Sequence, residues 1–257
     1  MSASDDALRE ALAHPAYPRS SRCDPAWVAR NQMGPNALWL LESLLECLPL
    51  ERGARVLDLG CGRAMTSIFL AKELGVEVVA ADLWIAAEEN LARVREAGVE
   101  GLVTPVHAEA HALPFEPASF DAIVSIDAYQ YFGSDDLYLG VVANLLREGG
   151  RIGVVVPATL RELDGPPPPA LAPYWEWEFC CFHSPAWWRR HWEKTGLVRV
   201  EHADLVPDGA ADWLRFARAM LPTSEGSWRE SWEREIALLE ADRGATLGFA
   251  RVVASKR

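Results

Sequence analysis

Residues 56–64 read Val56-Leu57-Asp58-Leu59-Gly60-Cys61-Gly62-Arg63-Ala64, an apolar run that carries a carboxylate two residues before a pair of glycines. The run has the length and character of a buried strand. The glycines mark a tight turn where a ligand can approach the backbone closely. A buried carboxylate is costly unless it accepts hydrogen bonds or faces positive charge. Asp58 therefore predicts donors or a cation at the tip of this strand.

Strand and helix signals alternate downstream of the turn. Arg55–Leu59 is a first strand; Met65, Ile68, Phe69 and Lys72 follow at helical spacing, and Gly75 sits where that helix would stop. Val76–Ala81 is a second strand ending at Asp82, Glu88–Glu96 a helix closed by Gly98, Leu102–His107 a third strand and Asp121–Ser125 a fourth. Asp136–Arg147 reads as a helix, and Glu148-Gly149-Gly150 as a turn into a fifth strand, Arg151–Val156. This rhythm predicts an α/β fold with a doubly wound, mostly parallel, Rossmann-like sheet.

The ends of the chain depart from the rhythm. Pro166–Pro169 after Gly165 is a stiff extended connector. Ser184-Pro185 has N-cap and N1 chemistry for a helix reaching Thr195 and stopped by Gly196. Leu197–Val206 and Gly248–Ser255 read as strands, separated by a segment with a helical centre, Ser227–Asp242, whose Trp228, Trp232 and Ile236 make an apolar stripe. Near the N-terminus, Asn36–Leu48 places Leu38, Leu41, Leu45 and Leu48 on one helical face. The predicted organisation is a helical cap over residues 1–50 and one domain over 51–257, with lid insertions near 157–183 and 207–247.

Composition narrows the function classes. The 257 residues include 37 acidic and 25 basic side chains, a formal charge of −12, which argues against nucleic acid or stable membrane association through bulk electrostatics. There is no apolar run of about eighteen residues, and the start, MSASDDALRE, is acidic rather than a basic-then-apolar leader. Five cysteines without a C-x-x-C pair give neither a disulfide framework nor a zinc site. The chain reads as cytosolic and metal-free.

In dinucleotide folds a turn like this one holds a pyrophosphate, which an upstream acid would repel; the third glycine of G-x-G-x-x-G is here Met65. The pattern suits a ligand with positive charge and no phosphate. S-adenosylmethionine, with its sulfonium and α-ammonium groups, meets both conditions. Asp58 would accept from loop amides and face the ammonium. Asp82, twenty residues beyond Gly62, can accept both hydroxyls of a ribose.

VLDLGCG, VVAADLW, HAEAHALPF, FDAIVSIDAYQYF and LLREGGRIGVVV, in that order, resemble the motifs of class I S-adenosylmethionine-dependent methyltransferases. The nearest flavour is the small-molecule group that includes the ubiquinone/menaquinone-biosynthesis C-methyltransferases. The resemblance covers residues 53 to 156 and implies a seven-stranded sheet whose last strand is antiparallel, S-adenosylmethionine as cofactor and a small-molecule methyl acceptor. It also implies site residues: Asp58, Gly60, Cys61 and Gly62 around the methionine portion, Asp82 on the ribose, and Leu83 and Trp84 beside the adenine. Glu109, where the family usually has Asp, would accept from the adenine amino group, Ala110 would offer its amide, and Ser125 and Ile126 would close the site. His111 stands where the family often has an acid.

Five of the eleven tryptophans fall between Trp175 and Trp192. The segment Tyr174–His183 follows the polyproline connector, and is read either as a lid over an acceptor pocket or as core packing around the next helix. For an acceptor that starts protonated, Tyr129, Asp127 and His183 are the candidate bases; Gln130 and Tyr131 replace the histidine often found there in the family. Cys61 is a small packed loop residue rather than a nucleophile, and His107 a structural histidine. Two other readings share the sheet: an NAD-dependent oxidoreductase, disfavoured by Asp58 and the missing third glycine, and a non-catalytic cofactor-binding scaffold or regulator.

Overall fold

The chain, described over residues 3–257 in a computed structural model, starts with three helices: α1 (Ala3–Leu12), α2 (Pro25–Asn31) and α3 (Ala37–Leu45). Two of them begin on side-chain caps. Asp24 accepts from Ala26 N ahead of Pro25, and Asn36 accepts from Leu38 N and Trp39 N, satisfying amides that have no partner inside the helix. The helix read over 36–48 is thus Ala37–Leu45. The buried carboxylate of Glu42 accepts from Arg19 N, Ser20 N and Ser20 Oγ at 2.8–2.9 Å, which ties the preceding loop to α3.

The alternating region then runs β1 (Arg55–Leu59), α4 (Met65–Leu74), β2 (Glu77–Asp82), α5 (Ala87–Glu96), β3 (Val103–His107), β4 (Phe120–Ile126), α6 (Tyr138–Leu145) and β5 (Leu146–Thr159). The segment read as helix to Arg147 leaves the helix at Leu145. Phe120 pairs with Leu146 but Ala122 with Arg151, so Glu148-Gly149-Gly150 lies in an irregular stretch of the strand rather than in a turn before it. Beyond β5 lie α7 (Pro185–Glu193), β6 (Val198–Leu205), α8 (Gly209–Met220), α9 (Gly226–Asp242) and β7 (Leu247–Lys256). α8 is not among the elements expected from the sequence, although Trp213, Phe216, Ala217 and Met220, all buried, repeat at helical spacing.

The strands form one sheet in the order β3-β2-β1-β4-β5-β7-β6. β1 to β5 pair in parallel, and β7 is antiparallel to both β5 and β6. The expected seven-stranded sheet with its last strand reversed is what forms. One apolar cluster unites residues of α3, α4 and α8 with one face of the sheet; another unites those of α6 and α7 with the other face. Strand order reverses between β1 and β4, which opens a crevice beyond their carboxyl ends, the usual place for a ligand in such sheets.

Candidate active site

The crevice is a cavity of about 330 Å³, within the usual range for ligand sites of roughly 300–1,000 Å³. Its floor is the turn after β1. Gly60 N and Cys61 N both donate to Ala81 O, at 2.8 and 3.1 Å, which locks the tip of β1 against β2. Gly60 has φ +74°, and a Cβ there would lie 2.4 Å from Ala128 Cβ. Only glycine fits both the left-handed backbone and that approach.

Asp82 ends β2 and is 8% exposed. Its Oδ2 accepts from Gly62 N at 2.8 Å, and its Oδ1 from Trp84 N and Ile85 N at 2.7 and 2.9 Å. It thereby fastens the glycine turn to the turn after β2. A carboxylate has about four acceptor sites, so these three bonds do not exhaust it. Leu83, Trp84, Glu109, Ala110 and Ile126 line the same cavity with Gly60, Cys61 and Gly62. Glu109 is bound to His111 N and to His111 Nδ1, and these bonds hold its carboxyl below the ordinary value. The residue at 111, without an assigned role in the sequence, orients the one at 109.

Asp58 differs from its expected arrangement. It takes no loop amide: its Oδ2 accepts from Thr66 Oγ1 and Ser67 Oγ at 2.6 Å each, while its buried Oδ1 has no partner. Asp58 is wholly buried beneath the start of α4 and does not line the cavity, although Thr66 does. Burial pushes its carboxyl up to about 6 against the pull of the two hydroxyls, with the charge of Asp82 adding to the rise. The hydroxyls win the short-range contest because α4 brings them directly over the strand, whereas the loop amides turn toward Ala81 and Asp82.

Ser125 also lies under the site rather than in it: its Oγ donates to Leu59 O at 2.7 Å, bracing β4 against β1. Of the three candidate bases only Asp127 faces the cavity. Tyr129 is completely buried among Phe132, Tyr138, Trp188 and Trp192, and its hydroxyl has no partner. It belongs to the core because the turn after β4 points its ring against α6 and α7. His183 stacks on Trp187 at 3.6 Å and bonds Glu162 at 2.6 Å, beside a separate groove lined by Leu160–Glu162 and the start of α7. Neither is positioned to act as a base in the cavity.

The cover over the cavity comes from residues before β1. Asn31, Met33, Gly34, Pro35 and Ala37 line it. No residue of 157–183 or 207–247 does so; Tyr174, Trp175, Phe179 and Phe182 pack, partly buried, against Leu171, Leu238 and Leu247, and Trp177 is 82% exposed. The aromatic segment therefore does not cover this cavity. Arg63, missed in the sequence, also lines it and is held by donation from its Nη1 to Arg30 O at 2.7 Å. Its place directly after the glycine turn was the available signal.

The groups present fit S-adenosylmethionine: a glycine floor without room for side chains, a carboxylate with acceptor capacity left, an apolar flank and one guanidinium. Residues 56–150 match the family described as "Methyltransferase domain". Methyltransferase GfsG of Streptomyces halstedii is 32% identical over 155 residues, covering 57% of this chain and 52% of that protein. Ubiquinone/menaquinone biosynthesis C-methyltransferase UbiE of Idiomarina loihiensis is 29% identical over 138 residues, covering 51% of this chain and 55% of that protein. The chain thus spans about half the length of the curated relatives it matches. The solved structure of a putative sarcosine dimethylglycine methyltransferase from Galdieria sulphuraria shares the fold, with a TM-score of 0.68 at 18% identity over 99% of this chain and 98% of that one. The resemblance read from the five motifs is borne out by these matches.

Proposed function

We propose that this chain, whose residues 56–150 match a methyltransferase domain, transfers a methyl group from S-adenosylmethionine to a small-molecule acceptor. The observation that carries the proposal is that one cavity holds both the glycine turn with Asp82 and, on another wall, Asp127 with the cover residues 31–37. S-adenosylmethionine supplies a methyl group already activated by the sulfonium, so the protein chiefly aligns the reactants and excludes water.

In this reading Asp82 accepts from the ribose hydroxyls, Leu83 and Trp84 flank the adenine, and Glu109 and Ala110 meet its edge. Gly60, Cys61 and Gly62 cradle the amino-acid portion, and Arg63 faces its carboxylate. Asp58 acts from beneath, holding the start of α4 and lending negative potential to the ammonium. Ser125 and Ile126 support the strand tip. Asp127 is the group available to take a proton from the acceptor. The free cysteines and the absence, among the described residues, of any helix long and apolar enough to cross a membrane support a cytosolic setting.

Calorimetric titration tests the reading. S-adenosylmethionine and S-adenosylhomocysteine should bind with micromolar affinity, about −8 kcal/mol, and NAD should not compete. NAD binding in place of both would return the oxidoreductase reading. Cofactor binding without transfer to any of a panel of small acceptors would favour the scaffold.

A further inference from the structure

The glycine turn leaves one of its amides unused. Gly60 N and Cys61 N donate to Ala81 O, Gly62 N to Asp82 Oδ2, and Ala64 N to Cys61 O at 2.9 Å. Among the described residues no protein group accepts from Arg63 N. Gly62 and Arg63 both line the cavity. A backbone N–H is an obligatory donor, so the complement of this one is an acceptor on a ligand.

The side chain that aims this amide lies outside the cavity. Asn90, on α5, is 1% exposed, and its Nδ2 donates to Gly62 O at 2.9 Å. Its Oδ1 accepts from Arg93 Nη1 at 3.0 Å, which fixes the end of the amide that faces the turn, because a guanidinium cannot accept. The other group near Gly62 O is Cys61 Sγ at 3.7 Å, and a thiol is a weak donor.

Gly62 is therefore held at both ends, its N–H by Asp82 and its C=O by Asn90, in a left-handed conformation with φ +53°. In a planar trans peptide the C=O and the N–H point in opposite directions. With Gly62 O drawn toward α5, the N–H of Arg63 points away from α5. Asn90 does not line the cavity, so it acts only through this peptide.

We propose that Asn90 is a positioning residue for the carboxylate of the cofactor's amino-acid portion, holding the Gly62–Arg63 peptide so that Arg63 N–H is presented to that carboxylate. The inference rests on the methyltransferase reading and adds to it how the amino-acid end is selected. An apolar side chain at 90 would leave Gly62 O without its strong donor. The peptide could then rotate, and Arg63 N–H would lose its direction.

The test titrates the full chain with two ligands, S-adenosylhomocysteine and its decarboxylated analogue, which keeps the ammonium and lacks only the carboxylate. A hydrogen bond to a charged group changes affinity by roughly tenfold or more, so the wild-type protein should prefer S-adenosylhomocysteine by at least about tenfold. In Asn90→Leu that preference should fall at least about fivefold, while affinity for the analogue stays within about twofold. Asn90→Ala should behave alike and answers the question where the leucine variant does not fold. Equal loss of both affinities would make Asn90 merely structural and overturns the inference, as does a preference that survives both substitutions. A wild-type protein that binds the two ligands alike also overturns it. If the wild-type protein binds neither ligand, the methyltransferase reading falls, and this inference with it.

Discussion

The floor of the cavity and the wall beside it are held in place by different forces. Along the floor, Gly60 N, Cys61 N, Gly62 N and Trp84 N are all fixed by acceptors at the tip of β2. Backbone geometry does the positioning, and one carboxylate, Asp82, joins the two turns. Along the wall, Met33, Gly34, Asp127 and Tyr131 meet through side-chain shape, with one long hydrogen bond to the side chain of Asp127. A floor made of peptide groups recognises whatever shares the cofactor's backbone-facing atoms. A wall made of side chains can differ from protein to protein and, in the proposed function, is the part that sets the acceptor. The comparison predicts that floor substitutions act on cofactor binding, and wall substitutions on acceptor binding and on pH dependence.

The largest effect should come from the floor. Asp82→Ala removes the acceptor of three amides and, in the proposed role, of two ribose hydroxyls. At about 1.5–3 kcal/mol for a hydrogen bond to a charged group, S-adenosylhomocysteine affinity should fall at least about tenfold. Calorimetry alongside circular dichroism checks that the fold survives. Unchanged affinity in a folded variant would break the division between floor and wall.

A smaller effect should come from the wall and depend on pH. Burial, aided by Glu235, pushes Asp127 from an ordinary 3.8 up to about 8. Between those values the folded protein holds a proton that the unfolded chain has released. Stability from this group is therefore complete below the lower value and lost as pH rises through the upper one. Glu235, pushed up to about 7 mainly by burial, acts in the same direction. Asp127→Asn removes the first contribution, so its stability relative to wild type should rise by about 1–2 kcal/mol between pH 5 and pH 9, allowing for solvent screening at the cavity. Urea unfolding at both pH values measures it; a pH-independent difference would show that burial does not raise Asp127.

The smallest effect concerns Tyr129, which the sequence made a candidate base. Its hydroxyl is buried without a partner, so Tyr129→Phe removes a polar group that contributes nothing and should be neutral or stabilising by up to about 1 kcal/mol. Turnover with any acceptor should be unchanged within about twofold. A large loss of turnover at unchanged stability would move Tyr129 from the core into the wall.

The residues that escaped the sequence, or were misplaced by it, share a physical character. Tyr129, Asp127 and His183 all carry titratable groups, but only the direction of one short turn after β4 decides that Asp127 faces the cavity and Tyr129 the core. His183 is drawn aside by Glu162 and Trp187. Asp58 found hydroxyls rather than amides because Thr66 and Ser67 lie over it when α4 docks. α8 had a readable helical repeat, obscured by the loops on either side of it.

By itself the sequence determined the strand–turn–helix alternation, the glycine turn, the carboxylates at the tips of β1 and β2, and from these the floor to which the proposed function assigns the cofactor. Those signals are local: a turn, a cap or a periodic face is set by residues within a few positions of one another. Only the tertiary structure decided which segment covers the cavity, which candidate base reaches it and what Asp58 bonds. Gly34 meets Asp127, and Glu235 lends it charge, across long separations in the chain. Such meetings depend on how helices dock on the sheet, and the burial that raises Asp127 exists only once they have docked.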